Sequence, residues 1–286
     1  MHHFEQRRSS RQAVLPPLRE LGLDLTHVTA RQRWSALALP LGCVAAAFVF
    51  ASFGWWFPAM LAVAAYTFSS YGSTSHDLVH GTLGLPRHVD RVLLSIIELL
   101  GLRSGHAYLA AHLHHHRQFP QRDDVEAAAA HGSAVQALLA GPLHQFRIWK
   151  WALANAPRFR HWILLEGIAC VALGVTAVML MPMTCIPMVY VSLVVMGSWS
   201  FPLLTAYLPH DPAGADELRQ TRRFRGRVAS VVFAEHLYHL EHHLYPKVPH
   251  QNWSRLAARL DPYLDRAGVQ AITFGVGPSW RAPRAS

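Results

Sequence analysis

Every lysine and arginine of this 286-residue chain lies outside two stretches, 34–81 and 161–210. Six of the 26 cations fall in residues 1–33, nine in 82–160 and eleven in 211–286. A soluble basic protein scatters its charges over its surface, whereas cation-free apolar runs of this length are what a bilayer interior demands. Trp34 to Phe57 runs 24 residues without a charge, about 36 Å as a helix, enough for a hydrocarbon core of ~30 Å. Gly54 and Pro58 mark a turn, Trp55 and Trp56 suit an interface, and Met60 to Ser75 returns. Trp162 to Met181, carrying Glu166, reads as a third span, and Met183 to Leu208 as a fourth, with Pro182 and Pro187 near the turn between them. Four spans put all three basic blocks on one side, which the positive-inside rule makes cytoplasmic. The expected fold is therefore an all-α integral membrane protein. It has four transmembrane helices in two hairpins with a cytoplasmic helical cap, and as a multi-pass bacterial inner-membrane protein it keeps both termini in the cytoplasm.

Residues 1–33 read as a cytoplasmic N-terminal tail, too long and too charged before the first apolar run for a cleavable signal. Residues 34–265 form the membrane domain with its cap, and 266–286 a C-terminal tail. Within the domain, 91–111 is apolar but interrupted by Glu98, Arg103 and His106, which suits an amphipathic or half-buried segment; 134–152 reads likewise. Hydrophobic residues make up 51% and charged residues 15% of the chain, well below the usual quarter. The net charge of +9 is no sign of nucleic acid, because the basic blocks lack a reader motif. Cys43, Cys170 and Cys185 lie in apolar stretches without a C-x-x-C pair and read as buried thiols.

The chemistry sits in the histidines. Of 20, eight fall into three clusters: His76 and His80 in HDLVH, His112, His115 and His116 in HLHHH, and His239, His242 and His243 in HLEHH. Residues at i, i+3 and i+4 share one helix face, so each cluster can aim its imidazoles one way. A single site takes three or four such ligands, so eight suffice for two ions. Imidazole alone leaves the metal open among iron, copper, zinc and nickel. Structural zinc usually closes with four ligands, often cysteines, and the cysteines here lie elsewhere. Non-haem iron is the ion most often used for oxygen chemistry on inert C–H bonds, and the Glu-x-x-His pairs of carboxylate-rich di-iron bundles are absent. Each ligating imidazole needs an acceptor for its other ring N–H. Asp77, Asp123, Asp124, Glu235 and Glu241 lie beside the clusters and are candidates, against the plainer reading that they solvate a cytoplasmic face.

The order H-x3-H, H-x2-HH and H-x2-HH, separated by paired apolar spans, resembles the membrane fatty acid desaturase superfamily, which includes carotenoid hydroxylases and ketolases. The resemblance covers roughly residues 35–265. It implies two iron ions (Fe2+) on the cytoplasmic face, O2 as co-substrate, and a long-chain lipid entering a tunnel from the bilayer. It also implies electrons from an external ferredoxin or cytochrome b5 type of donor with its reductase, because no cytochrome b5 domain follows residue 265. Carried over residue by residue, His76, His80, His112, His115, His116, His239, His242 and His243 match the ligand boxes. A further ligand usual near the end of the fourth span falls on His210 in YLPH; the Asn that acyl-CoA desaturases place four residues before it is here Ala206. The stretch YHLEHHLYPKVPHQNW is more similar to carotenoid hydroxylases and short bacterial desaturases than to acyl-CoA desaturases.

The remaining histidines have plainer readings. His2, His3, His27, His88, His131, His144, His161 and His250 have no partner at ligand spacing, and His114 lies off the shared face of its cluster. His106 and His236 are weaker site candidates. The expected function is O2-dependent oxidation of a lipid chain, fatty acyl desaturation first and carotenoid hydroxylation or ketolation close behind. A metal-ion transporter is a distant rival, since it would place its ligands inside the spans.

Overall fold

The computed structural model describes residues 15–226 and 236–273. The chain is mostly helical. After a single turn of helix, α1 (Leu18–Leu21), and a 3-10 turn (Leu23–Thr26), the first long helix is α2 (Ala30–Ser52). Its start is set by a capping box: the Thr29 hydroxyl accepts from the Gln32 amide, and the Gln32 side chain accepts from the Thr29 amide. The chain reverses through Gly54, whose φ of 75° suits only glycine without strain, into α3 (Trp56–Ser69). α2 and α3 pack through Val44, Ala47, Val63 and Tyr66, with Val194 of α9 (Ile186–Ser198) closing the cluster.

α3 does not run straight on. Ser70–Thr74 forms a π-helical turn before α4 (Ser75–His80), held where the Thr74 hydroxyl donates to the Ala36 carbonyl at 2.7 Å. A π turn takes one more residue than an α turn, so it changes the face that following side chains present. Such insertions are common at functional sites, and here the turn leads directly into the first histidine cluster. α5 (Arg87–Leu100) and α6 (Gly105–Gln118) meet at 109° across Gly101–Ser104. α7 (Ala134–Asn155), opened by a Ser133 capping box, and α8 (Arg160–Met179) follow. α9 then passes into a second π segment, Pro202–Tyr207.

Among the described residues, three helical stretches are long and apolar enough to cross a membrane: Leu23–Ser52, Pro157–Met179 and Ile186–Tyr207. α8 shows why, since Leu165, Ile168, Val171, Val175 and Val178 all face outward while Ile163 and Glu166 face in. The stretch expected to return from Met60 to Ser75 falls in the α3, π and α4 run, and α3 with its 14 residues spans only about 21 Å by itself. α5 and α6 pass the same test only as a bent pair.

The end of the bundle is covered by α10 (His239–Leu244), α11 (Trp253–Arg266) and a two-stranded parallel ribbon of β1 (Arg223–Arg225) and β2 (Ala271–Thr273). α11 buries Leu256, Leu260 and Leu264 at i, i+4 and i+8 against Leu240 and Leu244 of α10. Leu15, Leu21 and Leu25 enter the same cluster, so part of the segment expected as an N-terminal tail is a wall of this cap. Burial of each such leucine contributes about 1.5–3 kcal/mol. Asp24 ties the segment to α11 through Arg259 at 2.7 Å and through Arg255. On the other side Arg225 bridges Asp261 of α11 and Glu241 of α10.

Candidate metal centre

Among the described residues, nine histidines from α4, α6, α10 and the chain just beyond the second π segment converge under this cap. They form two groups. His76, His80, His112, His116 and His242 bring ligand atoms within 4.8 Å of one another, and so do His115, His210, His239 and His243. Helical spacing explains the division. His76 and His80, His112 and His116, and His239 and His243 are i, i+4 pairs, each committed to one group. His115 and His242, one helical step aside, each cross into the other group. α6 and α10 therefore serve both groups, which holds the two close together.

Every contact within the groups is made by Nε2. The eight Nε2···Nε2 separations run from 2.8 Å (His116–His242) and 2.9 Å (His76–His242) to 3.3 Å (His210–His243). Neutral imidazole has one N–H and one lone pair, and the proton goes where its hydrogen bond goes. His115 Nδ1 lies 2.6 Å from Asp124 Oδ2, and His210 Nδ1 donates to the Ala206 carbonyl at 2.8 Å. That leaves the Nε2 lone pairs of both rings directed at His243 Nε2, which also faces His239 Nε2 at 3.1 Å. A single proton cannot satisfy three such neighbours; a cation can.

The donor set fits a metal in other respects. Two nitrogens about 2.1 Å from a common ion stand about 3.0 Å apart at a right angle and about 3.4 Å apart at the tetrahedral angle. The eight quoted separations lie in the range that ligands of a common ion span, and all ligand atoms of each group lie within 4.8 Å of one another. Burial, followed by the charge of neighbouring imidazoles, holds His239, His242 and His243 well below the ordinary histidine pKa, and holds His210 down to about 3. These rings are therefore neutral at pH 7, the form that ligates.

The flanking acids divide sharply. Asp124 supports His115, and it also accepts from the backbone amides of Glu126 and Ala127 at 3.0 and 3.2 Å. Burial alone would raise its pKa, but the hydrogen bond and charge of His115 hold it below the usual carboxylate value. Asp123 is exposed and reaches no imidazole. Asp77 turns instead to the ring and backbone of His250, at 2.6 and 3.1 Å, and to the Thr82 hydroxyl. It pins α4 to the cap, and His250, which reads as a surface residue in the sequence, is its partner. Glu241 is fully buried and pairs with Arg225 rather than with a histidine. Glu235 lies outside the described residues.

Sequence reasoning missed Glu126. Both its carboxylate oxygens lie 3.0 Å from His112 Nδ1. The signal was available in R-D-D-V-E, which carries an acid two positions beyond Asp124 just after the second cluster. Trp253 closes the site from the cap, its ring 5.3 Å from that of His76 and 5.2 Å from that of His242. His114 packs on Trp151 and His106 pairs with Glu166, both apart from the two groups. His236 lines an apolar cleft with Phe68, Tyr71, Phe201, Leu204 and Leu208, next to the Pro209–His210 step. Gly72 makes room for it, since a Cβ there would stand 1.5 Å from the His236 ring.

A family model described as Fatty acid desaturase matches residues 53–275. The match takes in all nine histidines, and the chain belongs to that family. Among curated proteins none matches it.

Proposed function

We propose that this member of the fatty acid desaturase family holds two iron ions, one per histidine group, and uses O2 to oxidise an unactivated carbon of a long lipid chain. Fatty acyl desaturation is the first reading. The observation that carries it is the convergence of nine Nε2 atoms on two adjoining positions beside an apolar cleft. When bound, iron supplies the activation of O2 and the removal of hydrogen from a CH2 group. The chain's own residues do the rest.

The nine histidines set the number and spacing of the metal positions. Asp124 and Glu126 fix the Nδ1 sides of His115 and His112, which keeps each Nε2 aimed inward. Trp253 and the leucines of α11 exclude water from the cap side. Phe68, Leu204 and Leu208 offer an alkyl chain apolar walls, so shape has the main part in setting which carbon is presented. Electrons come from a separate ferredoxin or cytochrome b5 type of donor and its reductase. The basic blocks that flank the apolar helices support a cytoplasmic side for the cap, the termini and that encounter, by the positive-inside rule.

Carotenoid hydroxylation or ketolation is the second reading, supported by the resemblance of the 238–253 stretch. The test is mass spectrometry of lipids from a host that supplies fatty acids and β-carotene, with the His242→Ala variant as blank. Fatty acids lacking two hydrogens support the first reading, and carotenoids gaining oxygen support the second. An iron-loaded protein supplied with donor and reductase that changes neither pool overturns both.

A further inference from the structure

The π turn at Ser70–Thr74 decides where two of the nine histidines point. An α-helix turns about 100° per residue, so one inserted residue swings every later side chain by about that angle. Without the insertion, His76 and His80 on α4 would be rotated away from His112, His116 and His242. A π turn is rare, so this one needs holding from outside its own helix. Four hydrogen bonds do so. The Thr74 hydroxyl donates to the Ala36 carbonyl of α2 at 2.7 Å, and the Tyr108 hydroxyl of α6 to the Tyr71 carbonyl at 3.1 Å. Arg103 Nη2 donates to the Ser70 hydroxyl at 3.1 Å, and the Ser75 hydroxyl to Glu98 Oε1 at 2.5 Å. Of the tethered residues only Ser75 lies on α4 itself, directly before His76. Ser75 and Glu98 are both fully buried.

Glu98 is fixed in turn by a strained corner. α5 closes with two backbone bonds, from the Arg103 amide to the Glu98 carbonyl and from the Leu102 amide to the Leu99 carbonyl, each 2.9 Å. This closure puts one residue in the left-handed region, where glycine usually stands. Here it is Leu102, with φ 53°, the only non-glycine of positive φ among the described residues. The corner brings Arg103 back over Glu98, whose Oε2 receives Nε at 2.6 Å and whose Oε1 receives Nη2 at 3.3 Å. Gly101 leaves room for it, since a Cβ there would stand 2.5 Å from the guanidinium carbon. The Tyr71 and Phe201 rings lie 5.4 and 5.2 Å from that carbon. The carboxylate therefore cannot swing away from Ser75 without giving up its pair with Arg103.

We infer that Glu98 is a positioning residue for the first histidine group. Through the Ser75 hydroxyl it fixes the rotation at which α4 leaves the π turn, and so the aim of His76 and His80. The approaches that depend on it are His76 Nε2 to His242 Nε2 at 2.9 Å and His80 Nε2 to His112 Nε2 at 3.1 Å. The second group takes no ligand from α4 and does not depend on this bond. The inference rests on the reading of the first group as a metal position.

Chelator titration of the iron-loaded full-length protein in detergent tests it, with Mössbauer spectroscopy reading each iron position separately. Ser75→Ala removes only the hydroxyl. First-group iron should then be lost at about tenfold lower chelator concentration, the contribution of one buried hydrogen bond, with second-group iron unchanged. Glu98→Gln keeps an oxygen for Ser75 but takes the counter-charge from Arg103. Its thermal unfolding should fall while first-group iron is retained as in the wild type. Ser75→Ala protein that keeps first-group iron as the wild type does, or loses iron equally from both groups, overturns the inference. A wild-type protein with no iron in the first group would instead overturn the metal reading beneath it.

Discussion

The two histidine groups present the same ring atom to their centres, yet they are assembled differently. The first takes two i, i+4 pairs and His242 from three regular helices. The second takes one pair from α10, a single residue from α6, and His210 from the irregular chain that follows a π segment. Their supports differ too. His112 leans on Glu126, which sits in a loop. In the second group His115 leans on Asp124 and His210 on the Ala206 carbonyl. Every ligand of the first group sits on an α-helix, one of those helices re-aimed by the π turn at Ser70–Thr74, whereas the second group also draws His210 from chain beyond its helices. The second should therefore be the easier to disrupt from outside the ligand set.

The largest expected effect comes from His243→Ala. His243 Nε2 faces three other Nε2 atoms of the second group, so its loss should empty that group and reduce lipid oxidation to background. Iron analysis should show the first group still loaded. Next is Glu241→Gln, which takes one of two carboxylates from Arg225 and leaves Asp261 as its partner. A buried pair broken outright costs about 3 kcal/mol, and the remaining partner keeps the loss below that. Because α10 feeds both groups, thermal unfolding should move down and iron should fall in both together, without the selectivity of His243→Ala.

Asp124→Asn sharpens the comparison further. Loss of a support behind a ligating imidazole typically weakens metal binding by about 10–100-fold. Glu126→Gln should weaken the first group within the same range, but Asp124 also caps two backbone amides and so should be the more damaging. Metal competition titrations on the two variants would read this directly. The smallest expected effect is that of Asp123→Asn. Its side chain is exposed and touches no histidine, so metal affinity and activity should stay at wild-type values. A loss matching that of Asp124→Asn would show that the loop carrying both is arranged differently.

The legible parts of this molecule are the local ones. Apolar run length found α2, α8 and α9, and helical spacing found the histidines that the structure gathers. His210 came from resemblance instead, because a single histidine after a span has no periodicity to betray it. What the sequence hid is long-range or irregular. The partner of Asp77 lies 173 positions away at His250. Leu15, Leu21 and Leu25 look like any apolar residues in a polar segment until α11 is placed against them. The π turn at Ser70–Thr74 leaves no mark in an apolar pattern, yet it divides the run between Trp56 and His80. Acids beside a histidine in sequence were poor guides to acids beside it in space. Glu241 neighbours His242 in the chain but faces Arg225, while Glu126 lies 14 positions from the ring it supports.

The most direct measurement is the iron content of the purified protein beside that of His80→Ala and His239→Ala, one variant from each group. The expected result is two irons per chain in the wild type and one in each variant, with the remaining iron in a different spectroscopic environment in the two cases. A wild-type protein that binds a single ion, or variants that keep both, would contradict a centre built from two histidine groups.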